Sequence, residues 1–354
     1  MSFKRFEADD FVVSADSVTS TLWSNGNATL TQFYTSSVQE AGTSGDFYLN
    51  AYQTGSDLSG SAVQFGIAYG NSFGSGSKVY NLAVNGRSPS STIYGQYQDL
   101  VIGDENTNFL FGDVTQSQFF AITFERARYK ESLFPGSLTL NLSGSAGKIS
   151  LTDDSQYVTS QTFNEAGRVY QLISGSAGVK YTNNGTTSDG YSAKSGSYGW
   201  FLPDIGTILL NPIALAQPAI SGGIAFGYSG STESGGNAGT GSALPGVTPM
   251  SSMYKAISGS TASSFTINAQ ETITSDYIFV RPRSSEFNYS ENPSFISGST
   301  GEVLYSSFIN NPQVYITTVG MYNDNNELLA VAKLSRPLVK DFTKEALIRV
   351  KLDF

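Results

Sequence analysis

Short apolar segments with period-two alternation, each closed off by Gly, Ser, Thr or Asn, recur along this chain and leave strands as the main way to bury its apolar side chains. Gln32–Thr35, Asp46–Tyr52 and Val63–Tyr69 are aromatic-rich stretches of this kind. In Gln118–Arg126, residues Phe120, Ile122 and Phe124 share one face, as do Leu138, Leu140 and Leu142 after Phe134-Pro135-Gly136. Near the end, Ala346, Ile348, Val350, Leu352 and Phe354 alternate with Leu347, Arg349, Lys351 and Asp353, giving one apolar and one mainly charged face, so the chain is expected to finish inside a sheet. Helix-forming runs of Ala, Leu, Glu and Lys are nearly absent, and 37 glycines supply turns. The expected fold is mainly β: two or three antiparallel β-sandwich or barrel-like domains with long Gly/Ser-rich loops.

Three regions are expected. Residues 1–142 form an N-terminal β domain. Residues 143–260 form a Gly/Ser-rich middle domain or insertion, with Ser-Gly-Ser-Ala-Gly at Ser143–Gly147 and again at Ser174–Gly178, and an almost wholly Ser, Gly, Thr and Asn run from Ser229 to Gly241. Related Ile-Ser-Gly-Ser words at Ile257 and Ile296 are irregularly spaced, which indicates reused turn chemistry and no repeat architecture. Tyr198–Pro212 is an ordered island, one or two buried strands. Residues 261–354 form a C-terminal β domain: a strand at Ser275–Arg281, then Gln313–Tyr322 and Glu327–Ser335 joined as a hairpin by Asn323–Asn326.

Composition excludes much chemistry. With no His and no Cys there is no Ser-His-Asp or Cys-His nucleophile pair, no zinc site of the usual N/S kind and no disulfide. An aromatic content of 13% argues against a disordered chain. Met1–Glu7 has no apolar run behind its charges, so no secretory signal is expected, and the apolar stretch Ile205–Ile220 is broken by Asn211, Pro212 and Pro218 and is not expected to span a membrane.

Each remaining motif fails its own spacing test. Gly70–Gly74 matches G-x-S-x-G but lacks a His base and reads as a turn. Ser75–Lys78 and Ser252–Lys255 have S-x-x-K spacing without the S-D-N or K-T-G that accompany it. Asn323–Glu327 lacks the register of a calcium loop, and Gly144–Lys148 lacks the full phosphate-loop pattern. Asp9-Asp10, Asp104-Glu105 and Asp153-Asp154 are adjacent carboxylates, expected in solvated loops. No catalytic residue, metal ligand or cofactor is expected, and a carboxylate-only glycosidase is the one enzyme chemistry left open.

Charge suggests contacts. Against a formal net charge of -9, residues Lys333–Phe354 carry six basic and three acidic side chains. Arg126, Arg128 and Lys130 form a second basic cluster, in a connector that can remain solvated. An acidic chain repels a polyanion, so protein partners or pairs within the sheet are favoured over nucleic acid. Tyr181, Tyr191, Tyr198 and Trp200 could alternatively stack on sugar rings or fill a loop-covered core.

Tyr315–Pro337, with Gly320-Met321-Tyr322-Asn323 followed by Leu328-Leu329-Ala330-Val331-Ala332-Lys333-Leu334, then Lys340–Glu345 and the last strand, resembles the C-terminus of structural proteins of T4-like contractile-tailed phages, especially those of marine cyanobacteria. Phe3–Val13, Phe65–Ser77 and Phe124–Gly136 are similar to the same group, while the Gly/Ser-rich middle departs from it. The resemblance implies a virion component assembled in the host cytoplasm, in the tail or baseplate, with other virion proteins and copies of itself as partners. Arg126, Arg128, Lys130, Tyr315, Tyr322, Lys333, Arg336, Arg349 and Lys351 are then the candidate interface residues. A neck, collar or capsid-decoration protein is the alternative, as is an adhesin that binds a host-surface glycan through Tyr191, Tyr198 and Trp200.

Overall fold

Because successive side chains leave a strand on opposite sides, the alternating segments each present one face for burial, and antiparallel pairing aligns those faces. The computed structural model describes residues 3–23, 28, 32–35, 48–52, 62–74, 89–182, 185–227, 249–260, 265–290 and 292–353. The chain runs through β1 (Phe11–Thr21), β2 (Gln32–Thr35), β3 (Tyr48–Tyr52), β4 (Val63–Asn71), helix α1 (Pro89–Ile102), β5 (Phe109–Phe111), β6 (Val114–Gln116) and β7 (Gln118–Phe124). Next come β8 (Ser132–Leu133), β9 (Thr139–Gly144), β10 (Gly147–Asp153), β11 (Thr162–Asn164), β12 (Gly167–Ser176), β13 (Val179–Lys180), β14 (Gly199–Leu202) and β15 (Thr207–Leu210). Helices α2 (Pro212–Ala216) and α3 (Pro249–Ser258) precede β16 (Phe265–Thr266), β17 (Asn268–Val280), α4 (Ser306–Asn310), β18 (Val314–Tyr322), β19 (Leu328–Lys340) and β20 (Ile348–Asp353). The mainly β, antiparallel architecture is as expected. Ser75–Lys78, Ser229–Gly241 and Phe354 lie outside the described residues.

Two compact units divide the chain, Met1–Ser17 with Thr272–Phe354, and Val18–Glu271. These bounds differ from the three regions 1–142, 143–260 and 261–354. The reason lies in sheet order. A large sheet runs β16-β9-β10-β12-β14-β15-β7-β4-β3-β2, so strands of the Gly/Ser-rich stretch lie directly beside β7 and β4. Across it, Tyr170, Phe201, Ile208, Ile122, Ile67 and Leu49 stand opposite one another in successive strands. All six belong to one buried cluster, joined by Leu140, Phe265, Met253 and Ile257. The other side of the sheet packs Ala121 and Leu209 against Ile93, Tyr94 and Val101 of α1 and Phe109 and Phe111 of β5. Burial on both sides explains why Phe119-Phe120-Ala121-Ile122 is a continuous apolar run and why 143–226 has no core of its own.

Helices α1 and α3 are absent from the sequence-based expectation, which weighted the scarcity of strong helix formers. Tertiary packing overrides that weak propensity. Met250, Met253, Tyr254 and Ile257 recur at helical spacing and are all buried. The repeated pentapeptide makes hairpin turns in both places, but not the same turn: Ser145-Ala146 closes β9 to β10, whereas Ala177-Gly178, both with positive φ, close β12 to β13.

In the Met1–Ser17 and Thr272–Phe354 unit, Ser275–Val280 of β17 pairs with Ile348–Asp353 of β20 in antiparallel register. A smaller core forms there from Ile278, Val350 and Met321, with Phe6, Ala330, Ala332, Ile348 and Leu352 packed around them. The period-two pattern of the last strand is thus realised, with Val350 buried and Arg349 and Lys351 exposed.

Candidate interaction surfaces

The β18–β19 hairpin is built locally by its turn. Asn323 Oδ1 accepts from the backbone N–H of Asn325 at 3.0 Å and of Glu327 at 2.8 Å, and Asn326 takes a left-handed φ of 62°. Val319↔Ala332 and Met321↔Ala330 set one register, and the opposite face carries Thr318↔Lys333 and Gly320↔Val331. That second face is left to solvent: Val331 is 58% exposed, Leu328 52% and Tyr322 38%, and beyond the register shift Tyr315 is exposed too. Phe3 adds an edge-on ring contact to Tyr322, with centroids 5.3 Å apart. Between Ile316↔Leu338 and Thr318↔Lys333 the register shifts, so Leu334-Ser335-Arg336-Pro337 form a wide bulge on β19. Lys333 and Arg336 are exposed and form no ion pair with a described carboxylate. Sequence reading singled out Tyr315, Tyr322, Lys333 and Arg336 but not Phe3, Leu328 or Val331, because Leu328–Ala332 is apolar throughout and its pattern does not say which side chains face solvent.

At the base of the hairpin Lys340 is fully buried. Its ammonium donates to Asn288 Oδ1 at 2.6 Å, Asp341 O at 2.9 Å and Ser284 O at 3.0 Å, so all three of its donors are matched by neutral acceptors. This ties the 281–290 loop to the end of β19. Beside it, Arg281 pairs with the Asp10 carboxylate at 2.9 Å, and Lys4 pairs with Glu286 at 2.9 Å. The Glu7 backbone N–H first, and then Arg281, hold the Asp10 carboxyl below its ordinary value.

On the charged face of β20, Arg349 and Lys351 both lie over the Tyr277 ring, 5.5 and 6.0 Å from its centroid, and Lys351 also pairs with Asp353 at 2.8 Å. The Lys351 ammonium holds the Asp353 carboxyl low, with help from the Ser275 hydroxyl. These two cations are partly engaged within their own sheet, unlike Lys333 and Arg336.

The 126–130 cluster is more committed still. Arg126 donates to the carbonyls of Tyr129 at 2.6 Å and Lys130 at 2.5 Å and covers the Tyr129 ring. Arg128 Nε donates to Val63 O at 2.9 Å, and Lys130 pairs with Glu271 at 2.8 Å. The cluster braces its own connector, with Arg128 half-buried and Arg126 and Lys130 exposed.

The aromatic candidates do not form one surface. Tyr198 is wholly buried in the core, its hydroxyl donating to Gly222 O at 2.5 Å, and burial pushes its phenol up. It therefore cannot stack on a sugar. Trp200 is half-buried with its ring against the edges of Phe109 and Phe111. Tyr191 is half-buried, and burial first, then the charges of Asp154, Asp189 and Asp113, push its phenol up to about 12. Tyr181 is exposed.

The adjacent carboxylates split. Asp104 is in an exposed loop, capping Thr107 and Asn106, as expected. Asp10 and the Asp153-Asp154 pair are not solvated loop residues. Asp153 is fully buried and accepts from Gly136 N at 2.8 Å and Ser155 N at 3.2 Å. Asp154 Oδ1 accepts from Gln171 N at 2.9 Å while Asp154 N donates to Gln171 O, fixing the end of β10 against β12. Burial raises both, Asp154 to about 6. Their backbone partners sit on neighbouring strands and turns, which local sequence cannot show. Among the described residues no three carboxylates converge as a metal site.

Gly70 and Asn71 end β4, and the turn follows at Ser72–Gly74, where Asn71 Oδ1 accepts from Phe73 N at 2.9 Å. Ser252 and Lys255 sit one turn apart on α3 beside a cavity of about 310 Å³, whose Ser143 and Ser145 hydroxyls donate to the carbonyls of Ala256 and Ala225. No described helix is long and apolar enough to cross a membrane. No protein-family model, curated protein or solved structure matches the chain.

Proposed function

We propose that this chain is a structural component of a contractile-tailed phage virion, placed in the tail or baseplate and working through contacts between subunits. The observation that carries the reading is the β18–β19 ribbon. Its inner face is spent on a small core, while Tyr322, Leu328 and Val331 on its outer face, and Tyr315 beyond the register shift, are exposed near Lys333 and Arg336, which pair with no described carboxylate. Aromatic and aliphatic groups rimmed by basic side chains are what a protein interface needs. The same ribbon bears the resemblance to phage structural proteins.

The test is to locate the subunit in a density map of purified particles. Symmetric copies at the tail or baseplate, with the ribbon against a neighbour, are expected. Density at the neck or head vertex would move the proposal to a collar or decoration role, and absence from washed particles would refute it. Binding of the purified chain to a host envelope polysaccharide, lost on Trp200→Ala with the fold retained, would point to adhesion instead.

A further inference from the structure

β18 is an unguarded sheet edge. It pairs with β19 alone, so among the described residues its second row of backbone N–H and C=O groups faces no strand. Proteins ordinarily blunt such an edge with charge, proline or a bulge. The other free edges of six or more residues follow that rule, and β2 at the end of the large sheet, which is equally uncharged, is only four residues long. β19 carries Lys333, Arg336, Pro337 and the 334–337 bulge; β20 carries Arg349, Lys351 and Asp353; β1 carries Asp16. β18 reads Val-Tyr-Ile-Thr-Thr-Val-Gly-Met-Tyr: nine residues with no charge, no proline and high strand propensity, of which Tyr315, Thr317, Thr318, Gly320 and Tyr322 are exposed. A segment of this composition left bare is an aggregation hazard, so its lack of protection implies a cover.

We infer that β18 is covered by β18 of a second copy, added antiparallel across a two-fold axis. An antiparallel strand meeting itself with full overlap centres on Thr318, which places Val314 opposite Tyr322, Ile316 opposite Gly320 and Thr318 opposite its own counterpart. These pairings suit a strand with itself. Threonine pairs are favourable across a ladder, and no like charges meet. The same operation on β19 would bring Lys333 and Arg336 toward their own copies. A charged partner strand would gain nothing from an edge that offers it no countercharge, whereas a two-fold contact is self-complementary by construction. The contact concerns this chain alone, and it holds or fails whichever particle the chain serves.

The chain has no cysteine, so a single introduced thiol reports cleanly. Opposed residues in an antiparallel pair lie about 4.5 to 5.5 Å apart at Cα, within disulfide range. Sedimentation velocity of the full chain should show a species of twice 37.8 kDa. Thr318→Cys should then form a disulfide-linked dimer under mild oxidation, while Ser335→Cys on β19 should not. Thr318→Lys, which sets two ammonium groups face to face, should weaken the dimer at least about tenfold with an unchanged far-ultraviolet circular dichroism spectrum. A chain that stays monomeric to about 100 μM would overturn the inference, since even a weak dimer of Kd near 10 μM would be populated there. So would a dimer that survives Thr318→Lys, or one that links through Ser335→Cys and not Thr318→Cys.

Discussion

Asp154→Asn should make the larger unit more stable at neutral pH and flatten its dependence on pH. Burial lifts the Asp154 carboxyl from 3.8 to about 6. A raised carboxyl titrates late in the folded state, so folding is unpenalised below pH 3.8, where both states are protonated. The unfolded chain ionises as pH rises past 3.8, and the penalty grows until the folded carboxyl also ionises near 6. At about 1.36 kcal/mol per pH unit, that interval makes the ionisable side chain cost about 3 kcal/mol at pH 7 relative to pH 3. Asparagine keeps the oxygen that accepts from Gln171 N and removes the ionisation. Both tryptophans, Trp23 and Trp200, lie within Val18–Glu271, so their emission during urea unfolding reads the unit that holds Asp154. Wild type and variant should coincide near pH 4 and separate progressively to pH 7. Parallel profiles across that window would refute the reasoning, because a carboxylate that is not desolvated gives no difference to remove.

Three further substitutions probe packing and backbone. Phe65→Ala removes a fully buried ring stacked 5.4 Å from Phe265 and should cost about 3 to 5 kcal/mol in the same urea assay, with an unchanged midpoint refuting its place in the core. Gly199→Ala should abolish soluble expression, since Gly199 has φ +137° and a methyl there would run into the Leu209 carbonyl; a soluble variant of native stability would contradict that strand pairing. Lys340→Met strands the Asn288, Ser284 and Asp341 oxygens, at a cost of about 1 to 3 kcal/mol each for those that water does not reach. Hydrogen exchange over 281–290 and 338–343 should accelerate, and unaltered protection would show that the ammonium does not hold the loop.

Sequence alone determined the local pieces. Alternation fixed the faces of β7, β9 and β20, and Asn323–Asn326 specified the β18–β19 turn, because both rest on neighbours within a few residues. The empty His and Cys positions likewise removed thiol and imidazole chemistry without any coordinates. Only the tertiary structure decided what those pieces touch. Tyr198 and Trp200 look alike as candidate sugar platforms, yet one is sealed in the core and the other half-covered, since burial depends on strands far away in sequence. Asp153 and Asp154 look like loop carboxylates until Gly136, Ser155 and Gln171 close on them. The Gly/Ser-rich stretch, which composition marks as separate, becomes the middle of the large sheet because β14 and β15 find Phe201, Ile208 and Leu210 their partners on β12 and β7. Long-range pairing chooses among faces that local pattern can only offer.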